Sequence, residues 1–477
     1  MSAQHEMMQQ TDEAVNVREN YSNLVTKMPS TCSPDGSTKY KTLGPSPSYL
    51  VRRQEDSTEN ASSIHSQTST IEFEQKLYEA FQQKATQLVL DLFPGYCAED
   101  VKIESMQGGG NNCVIGITLC KSPPKPPWYS LRRIRNTMQP CLTGRRSRET
   151  QPTPKKFILR IPSSPTQDMH HQVTTLAYLA HRISYPVPRV VVFDASEDNA
   201  LGQAYMLQER LPGKPLTELW ADLNQAQRLS ATRAISNILL DLQTVKSRSP
   251  GIISTRNTTY DLRRDLVSTE PVPISRSRHT SGPGRNQATN AHLSNPQTTK
   301  TFLLDLVARQ RAHAAAANLP ACDALWARVV HMIHRLHGLA LIPDLEPFCL
   351  SHADLHPRNV LAVSTSEATV EVTGILNWDR ALFAPAFVSM RAPFFLWDAG
   401  ADGGEEALVE PTDGGPLEVK RAFESVVGED FLTSAYCVEL VLMRRLWHVL
   451  LAGFESGGDI WMAEEVLEEF GKLHALD

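Results

Sequence analysis

One stretch of the sequence decides how the rest is interpreted: residues 350–361, which read LSHADLHPRNVL. Apolar residues flank its polar centre and predict a loop whose two ends are buried. The carboxylate of Asp354 can accept a proton from a hydroxyl group, and Asn359 can offer a carbonyl oxygen to a metal ion. Phosphoryl transfer needs both, because that reaction depends on positioning and on charge neutralisation more than on covalent chemistry.

This segment resembles the Brenner-type loop of the aminoglycoside phosphotransferase family, whose pattern is His-x-Asp-Leu-His-x-x-Asn. It differs from the His-Arg-Asp form of protein kinases. A second match, GILNWD at residues 374–379, resembles the metal-binding strand end of the same family. The resemblance implies a bilobal, protein-kinase-like α+β fold. Its small N-terminal lobe would hold an antiparallel sheet plus a helix, and its larger C-terminal lobe would be mainly helical.

The same resemblance implies ATP and Mg²⁺ as cofactors and a hydroxyl group of a small molecule as phosphate acceptor. Asp354 would be the catalytic base, and Asn359 with Asn377, or with Asp379, would bind the metal. A buried polar loop without catalysis is the alternative. It does not explain why the two segments occur together and in this order.

Three upstream segments match the family in order. The turn at residues 107–112 occupies the place of the phosphate-covering loop, where glycines allow close backbone approach. Its candidate nucleotide-binding residues are Gly108, Gly109, Gly110 and Asn112. Arg160 stands where kinases carry a strand lysine that reaches the phosphates. Residues 205–213 resemble the hinge that meets adenine, with Gln208, Glu209 and Arg210 as candidates.

The sequence departs from the family at three positions. Asn377 replaces the aspartate that normally binds the metal, and an amide oxygen brings no negative charge to a hard cation. Gln172 replaces the helix glutamate that pairs with the strand cation, so charge-assisted pairing is lost, although Gln172 could still bond Arg160. Asp168, one turn earlier, is a second candidate partner. Arg160 itself replaces lysine and has a wider, planar head.

Composition limits the remaining classes. The net charge is -6, from 47 Lys and Arg against 53 Asp and Glu, which argues against nucleic acid as a partner. No apolar stretch reaches the roughly 18 residues that span a bilayer, so we expect no membrane partner. The eight cysteines contain no C-x-x-C pair and predict reduced thiols, and the N-terminus lacks a signal peptide. These features favour a cytoplasmic protein.

Composition and patterning also divide the chain into segments. Residues 1–70 are polar and predict a disordered leader, and residues 71–207 predict the N-terminal lobe. Within that lobe, 121–156 is a basic, Pro-rich insertion. Residues 208–477 predict the helical lobe, with a low-complexity insertion at 256–300. The expected order of elements in the N-terminal lobe is strand, strand, strand, helix, strand, strand, with the fourth strand at Val187 to Phe193.

Several interpretations stay open. A pseudokinase-like module that binds nucleotide or acts as a scaffold without catalysis is the alternative function, because of Asn377 and Gln172. The run from Asp398 to Glu418 holds seven acids and no Lys or Arg. It predicts either a solvated loop or attraction of a cationic acceptor. Segments near Phe383 and Arg444 resemble the fungal-type branch of the family. The sequence does not specify the acceptor or the oligomeric state.

Overall fold

The computed structural model of the chain describes residues 79–106, 112–121, 153–162, 169–257, 267–274, 293–398 and 410–474. All of these belong to one unit that runs from Ile71 to Asp477. The predicted leader at 1–70 and most of the predicted insertions at 121–156 and 256–300 lie outside the described residues.

A five-stranded antiparallel sheet forms the N-terminal part, in the strand order β1-β2-β3-β5-β4. Its strands are β1 (Val101–Ser105), β2 (Asn112–Leu119), β3 (Lys155–Pro162), β4 (Val190–Asp194) and β5 (Tyr205–Glu209). Helix α1 is described over residues 79–92, and helix α2 (Met169–Arg182) lies between β3 and β4 in the chain. The element order is the predicted one.

The two faces of this sheet have different roles because alternate residues of a strand point to opposite sides. One face packs against α1 in a buried cluster that includes Leu88, Val89, Ile117, Leu159 and Leu207. On the other face, Arg160 of β3 lies between Val114 of β2 and Met206 of β5 in the strand register. The side chain of Arg160 therefore points away from the α1 cluster.

The C-terminal part is mainly helical. Its helices are α3 (Leu216–Leu219), α4 (Gln225–Thr244), α5 (Thr299–Ala316), α6 (Asp323–Gly338), α7 (Ala386–Ser389), α8 (Gly414–Val427), α9 (Glu429–Tyr436), α10 (Val438–Arg445), α11 (Trp447–Ala452) and α12 (Gly457–Leu473). Side-chain caps fix where several of them begin: Asn224, Thr298 and Ser456 each accept a hydrogen bond from an N–H of the first turn. This part and the N-terminal sheet confirm the predicted α+β fold.

Short strands complete this part. They are β6 (Lys214–Pro215), β7 (Lys246–Ser247), β8 (Ile252–Ile253), β9 (Thr269–Glu270), β10 (Phe348–Ser351), β11 (Val360–Ser364), β12 (Val370–Ile375) and β13 (Leu382–Ala384). The predicted catalytic segment connects β10 to β11, and Asn377 follows β12. Because β11 and β12 pair antiparallel, these two segments lie at the same end of one hairpin.

The connector after β5 is fastened to that hairpin. The hydroxyl of Thr373 donates to the carbonyl of Pro212 at 2.6 Å. Gly374 leaves room for the side chain of Leu211, since a Cβ there would lie 2.4 Å from Leu211 Cδ1. Gly213 has a φ of +100°, a backbone conformation that favours glycine. The predicted hinge is thus held against the strand that leads to Asn377.

Helix α2 packs on the C-terminal part as well as on the sheet. Its residues Leu176, Tyr178 and Leu179 belong to the large cluster that also contains Ile333, on α6, and Phe383, on β13. Tyr178 stacks edge-on against Phe383, with ring centroids 6.2 Å apart. The helix also contacts the short 3-10 turn Trp378–Arg380. Gln172 therefore lies on a helix that packs beside the segment containing Asp379.

Two boundaries differ from the predictions. Residues 256–300 were expected to form a low-complexity insertion, but Thr269 and Glu270 within it are buried and pair with β8. Burial of these two polar residues depends on long-range pairing, which local composition does not reveal. Strand β4 was expected from Val187 and begins at Val190, after Pro188, which has no N–H for a ladder. No helix among the described residues is long and apolar enough to cross a membrane.

Candidate active site

The carboxylate of Asp354 is surrounded by hydrogen-bond donors. Its Oδ2 accepts from Nδ2 of Asn377 at 2.6 Å and from Nδ2 of Asn359 at 3.2 Å. Its Oδ1 lies 3.1 Å from Nη2 of Arg358 and 3.4 Å from Nε2 of His356. The side chain of Asp354 is only 14% exposed, and these four groups surround it. All four come from the two segments that the sequence singled out.

His352 braces the loop in its neutral form. Its Nε2 lies 2.8 Å from the carbonyl oxygen of Leu376, which can only accept, so Nε2 carries the proton. Its Nδ1 then accepts from the backbone N–H of Asp354 at 3.3 Å. Burial lowers the pKa of His352 to about 4, against the opposing effect of the Leu376 hydrogen bond. These contacts give His352 a structural role in the loop.

Each of the two segments contains one residue in the left-handed region of backbone conformation. Ala353 has a φ of +56° and Asn377 a φ of +63°. Asparagine tolerates this region better than most residues, whereas alanine meets a steric penalty. The two backbones are also joined directly, because the N–H of Leu376 donates to the carbonyl of Asn359 at 2.8 Å. Local strain and this bond together fix the position of Asn377 beside Asp354.

The amides of Asn359 and Asn377 are oriented in the same way. Both turn their nitrogen toward Asp354, and Asn359 also donates to the backbone carbonyl of Asp354 at 2.7 Å. Among the hydrogen bonds of the described residues, none ends on either amide oxygen. Two amide oxygens next to a carboxylate are a donor set that suits Mg²⁺, which prefers oxygen ligands. The described residues contain no cluster of three His, Cys, Asp or Glu that could hold a metal by itself.

Asp379 is the partner of Arg160. Nη2 of Arg160 lies 2.5 Å from Oδ2 of Asp379, and the two side chains are 12% and 13% exposed. Nδ2 of Asn112 donates to the same oxygen at 3.3 Å. Residues from β2, from β3 and from the turn after Asn377 therefore meet at one carboxylate. The contact joins the N-terminal sheet to the segment beside the catalytic loop.

The expected bond between Arg160 and Gln172 is absent. Gln172 is buried on α2, and among the described residues no hydrogen bond joins it to Arg160. The physical reason is charge: a guanidinium pairs more strongly with a carboxylate within reach than with a neutral amide. The other candidate partner, Asp168, lies outside the described residues. So do Gly108, Gly109 and Gly110.

The predicted hinge residues belong to the end of β5. Gln208 pairs with Ile158 in the strand register, and the N–H groups of Glu209 and Arg210 donate to the carbonyls of Arg189 and Lys156. These two N–H groups are therefore already hydrogen-bonded to other backbone carbonyls. A nucleobase would have to bond to carbonyl groups here or to the connector beyond Arg210.

A second ion pair crosses the sheet near this hinge. The guanidinium of Arg210 binds the carboxylate of Glu104, which comes from β1. Glu104 reaches it over Gly116, where a Cβ would lie 2.5 Å from Glu104 Cγ. The side chains are 31% and 39% exposed, so the pair lies near the surface. It connects the β1–β2 hairpin to the start of the connector.

Sequence reasoning missed three of these contacts: Asp379 with Arg160, Glu104 with Arg210, and Arg358 with Asp354. For the first two, neither spacing nor composition carried a signal, because the partners are 219 and 106 residues apart. The third joins two residues of the same short loop, four positions apart.

The model of the APH phosphotransferase enzyme family matches residues 145–388, just over half of the 477-residue chain. The chain belongs to this family. Its fungal-type branch stays a prediction.

Several solved structures match this chain at low identity and with TM-scores below 0.5. Aminoglycoside phosphotransferase APH(4)-Ia is 14% identical with a TM-score of 0.41, over 81% of this chain and 98% of its own. The GDP complex of wild-type aminoglycoside 2'-phosphotransferase-IIIa is 15% identical with a TM-score of 0.42, over 81% and 96%. The ADP-bound APH(2'')-Ib is 10% identical with a TM-score of 0.42, over 77% and 92%. No curated protein matches the chain.

Proposed function

We propose that this chain is an ATP-dependent phosphotransferase that moves the γ-phosphate to a hydroxyl group of a small molecule. The observation that supports this most is the environment of Asp354. The amides of Asn359 and Asn377 hold the carboxylate of Asp354. Asn377 belongs to the same short segment as Asp379, and Asp379 binds Arg160. A base, a candidate metal site and a phosphate-binding cation are thus within one connected set of contacts.

Asp354 would act as the base. The acceptor oxygen attacks the γ-phosphorus, the bond from that phosphorus to the β-phosphate oxygen breaks, and ADP leaves with the electron pair. The acceptor proton passes to Asp354 and then to solvent. His352 does not take this proton, because both of its ring nitrogens are used in backbone hydrogen bonds.

Arg160 would bind phosphate oxygens of ATP, together with backbone amides of the turn at 107–112. Asp379 would serve as the residue that holds Arg160 in place, since its Oδ2 already accepts from Arg160 and Asn112. Because this pair is largely buried, Arg160 would be held in one orientation, unlike a flexible cation on the surface.

Mg²⁺ fits the oxygens present. Asn359 and Asn377 would hold it with their amide oxygens, and the remaining oxygen of Asp379 is a third candidate ligand. When bound, the metal supplies neutralisation of the charge on the phosphates. Asn377 provides a neutral oxygen where a carboxylate is usual, so the phosphates of the nucleotide would carry more of the binding.

A nucleotide-binding module without catalysis is the second candidate. Two contacts favour it: the amide of Asn377 bonds directly to the catalytic carboxylate, and Asp379 is engaged by Arg160. In this alternative the polar contacts stabilise a cleft that binds nucleotide or a partner and transfers nothing.

The first test compares melting temperatures of the full chain with ATP, with ATP and Mg²⁺, and with Mg²⁺ alone. A ligand at about 100 times its Kd stabilises the fold by roughly 2.7 kcal/mol, which is a visible shift. We expect the largest rise with ATP and Mg²⁺ together. No response to ATP under either condition would contradict the proposal.

The second test measures transfer of phosphate from ATP to a panel of hydroxyl compounds by ³¹P NMR. Asp354→Asn should lower the rate by roughly 10²–10⁴-fold, the usual contribution of a general base. Nucleotide binding by that variant is the control, because the phosphate-binding residues are unchanged. Transfer that is unaffected by the substitution would disprove the role of Asp354. Nucleotide binding with no transfer to any compound would favour the module without catalysis.

A further inference from the structure

The two oxygens of the Asp354 carboxylate have different neighbours. Oδ2 faces the two amides, Asn359 and Asn377, which are anchored by the β11–β12 hairpin. Oδ1 faces Arg358 at 3.1 Å and His356 at 3.4 Å. A hydroxyl that gives its proton to Asp354 must come within about 2.6–3.2 Å of one of these oxygens.

Exposure decides which oxygen is open to that hydroxyl. Asn359 is 5% exposed, and the side chain of His356 is 20% exposed. The side chain of Arg358 is 59% exposed and pairs with Asp354 across one short turn. Exposed pairs of this kind are weak because solvent screens them, so Arg358 is the neighbour that can move aside. The hydroxyl therefore reaches Oδ1 from the side where Arg358 lies.

A guanidinium that moves aside from Asp354 can bind another anion. It keeps its positive charge at all physiological pH values, and its planar head fits a carboxylate or phosphate through two parallel bonds. Asp379 already binds Arg160 and Asn112 through its Oδ2. Arg380, next to Asp379 in the chain, is exposed and adds a second positive charge to this segment.

We propose that Arg358 forms an anion-binding subsite for the phosphate acceptor, and that the acceptor carries a carboxylate or phosphate close to the hydroxyl that reacts. This inference rests on the proposed function and names its substrate class: hydroxy acids or phosphorylated polyols. The anionic group stays bound to Arg358 and does not react. The hydroxyl oxygen attacks the γ-phosphorus, its proton passes to Asp354, and ADP leaves.

The subsite opposes a cationic acceptor, which the acidic run from Asp398 to Glu418 had suggested. Residues 399–409 of that run lie outside the described residues. At the carboxylate itself the described cation is Arg358, so a cationic group beside the reacting hydroxyl would be repelled at short range. The subsite predicts an anionic acceptor and the acidic run predicts a cationic one, so an experiment can distinguish them.

The experiment uses small probes of similar size and different charge, with the full chain, ATP and Mg²⁺. D-Glycerate and glycerol 3-phosphate are the anionic probes, glycerol is the neutral probe and choline the cationic one. We expect kcat/KM for the anionic probes to exceed that for glycerol by roughly tenfold, as for one charge-assisted contact. Choline should be the poorest acceptor, and the preference should shrink as salt is added.

Two substitutions test the assignment to Arg358. Arg358→Gln should abolish most of the anionic-to-neutral preference, and Arg358→Glu should move the preference toward choline. Arg311→Gln is the matched control, because Arg311 is also an exposed arginine, 52% by side chain, and pairs with a carboxylate, Asp323, at 2.7 Å. The control should keep the wild-type ratio of anionic to neutral probes.

Two outcomes would overturn the anion-binding subsite for the acceptor at Arg358. Equal kcat/KM for all probes in the wild type would overturn the subsite. If Arg358→Gln raises KM for ATP and leaves the ratio of probes unchanged, the anion at Arg358 is the γ-phosphate of the donor, and the acceptor assignment is overturned.

If no probe is phosphorylated, binding of glycerol 3-phosphate and of glycerol is compared by calorimetry. Selective binding of the anion that Arg358→Gln removes would support the subsite, although the proposed catalysis had failed. No selectivity between these two compounds would refute the subsite itself.

Discussion

The catalytic loop, His352–Asn359, and the neighbouring segment, Asn377–Arg380, lie side by side but differ in how their carboxylates are held. In the loop, three of the donors around Asp354 come from within five residues of it. In the second segment, the carboxylate of Asp379 is held by Arg160 and Asn112, which are more than 200 residues away. The first arrangement is local and the second depends on the docking of the sheet.

This difference indicates which part of the site tolerates change. A local arrangement forms whenever the loop folds, since backbone geometry brings the donors to Asp354. The long-range arrangement forms only if β2 and β3 pack against the segment after β12. The three departures from the family pattern, Arg160, Gln172 and Asn377, all lie outside the loop. The loop keeps every residue of the pattern.

The largest effect is expected from breaking the long-range contact. Asp379→Asn leaves the buried guanidinium of Arg160 without an anion, which should destabilise the fold by about 3–5 kcal/mol. Adding Gln172→Glu should restore part of this loss, because α2 packs beside the segment and would supply the missing carboxylate. Urea unfolding and the Kd for ATP measure both changes.

The control for this substitution is Asp323→Asn, which removes an exposed pair with Arg311 and should cost about 1 kcal/mol or less. An equally small loss for Asp379→Asn would show that the pair does not hold Arg160. If Asp379→Asn instead weakens Mg²⁺ binding alone, Asp379 is a metal ligand.

The local half should respond to pH through His352. Its pKa is about 4 in the folded chain because of burial, and an unfolded histidine titrates near 6.5. Between these values the unfolded state binds more protons. Stability is therefore complete above pH 6.5 and falls by about 3 kcal/mol as the pH is lowered to 4.

Unfolding in urea at several pH values measures this dependence. His352→Gln should flatten the wild-type slope between pH 6.5 and 4, and His331→Gln, on the exposed side of α6, should not. Burial raises the pKa of Glu346 to about 7, which gives a slope of opposite sign between pH 4.5 and 7. The difference between variant and wild type cancels that contribution. Identical slopes in both would contradict the buried, neutral histidine.

A smaller effect is expected from Asn377→Asp, which restores the residue usual in the family. Without metal it replaces a hydrogen bond to Asp354 by repulsion between two carboxylates and should destabilise the fold by about 1–2 kcal/mol. With ATP and Mg²⁺ it should bind the metal roughly tenfold more tightly. Melting curves measured with and without Mg²⁺ test both the expected destabilisation and the expected tighter metal binding.

Asn318→Asp is the control, since Asn318 also has a positive φ and is not part of the site. It should show no dependence on Mg²⁺. If Asn377→Asp behaves like this control, residue 377 does not contact the metal.

The smallest effect concerns strain in the loop. Ala353→Gly removes the Cβ of a residue with a φ of +56°, which should stabilise the chain by about 1 kcal/mol or less. Gly338→Ala provides a reference, because a Cβ there meets nothing within 4 Å and Gly338 has no positive φ. A loss of stability for Ala353→Gly would mean that the methyl group packs usefully and that strain is unimportant.

Much of the fold was predictable because its signals are local. Alternation and helical spacing gave the order of β1 to β5 and α2, and the glycines and prolines marked the turns. The boundaries were less predictable. The pairing of β8 with β9 was missed because two-residue strands have no periodicity, and Thr269 and Glu270 are polar residues buried by distant parts of the chain.

The residues of the candidate site also differ in how well the sequence predicted them. The resemblance to the family pattern indicated Asp354, Asn359 and Asn377, and the structure brings them into one set of hydrogen bonds. The resemblance did not indicate the partner that Arg160 has in the structure. Gln172 was the expected partner from the family pattern, and the structure has Asp379 instead because a carboxylate within reach binds a guanidinium more strongly than an amide does.

The sequence by itself determined the chemistry that is available: a carboxylate, two amides and a strand arginine in a fixed order along the chain. Tertiary structure decided which groups from different segments meet. The backbone conformation of a short loop depends on neighbouring residues, so its internal contacts follow from spacing. A contact between residues 219 positions apart depends on how a sheet and a hairpin pack, and that depends on the whole buried core.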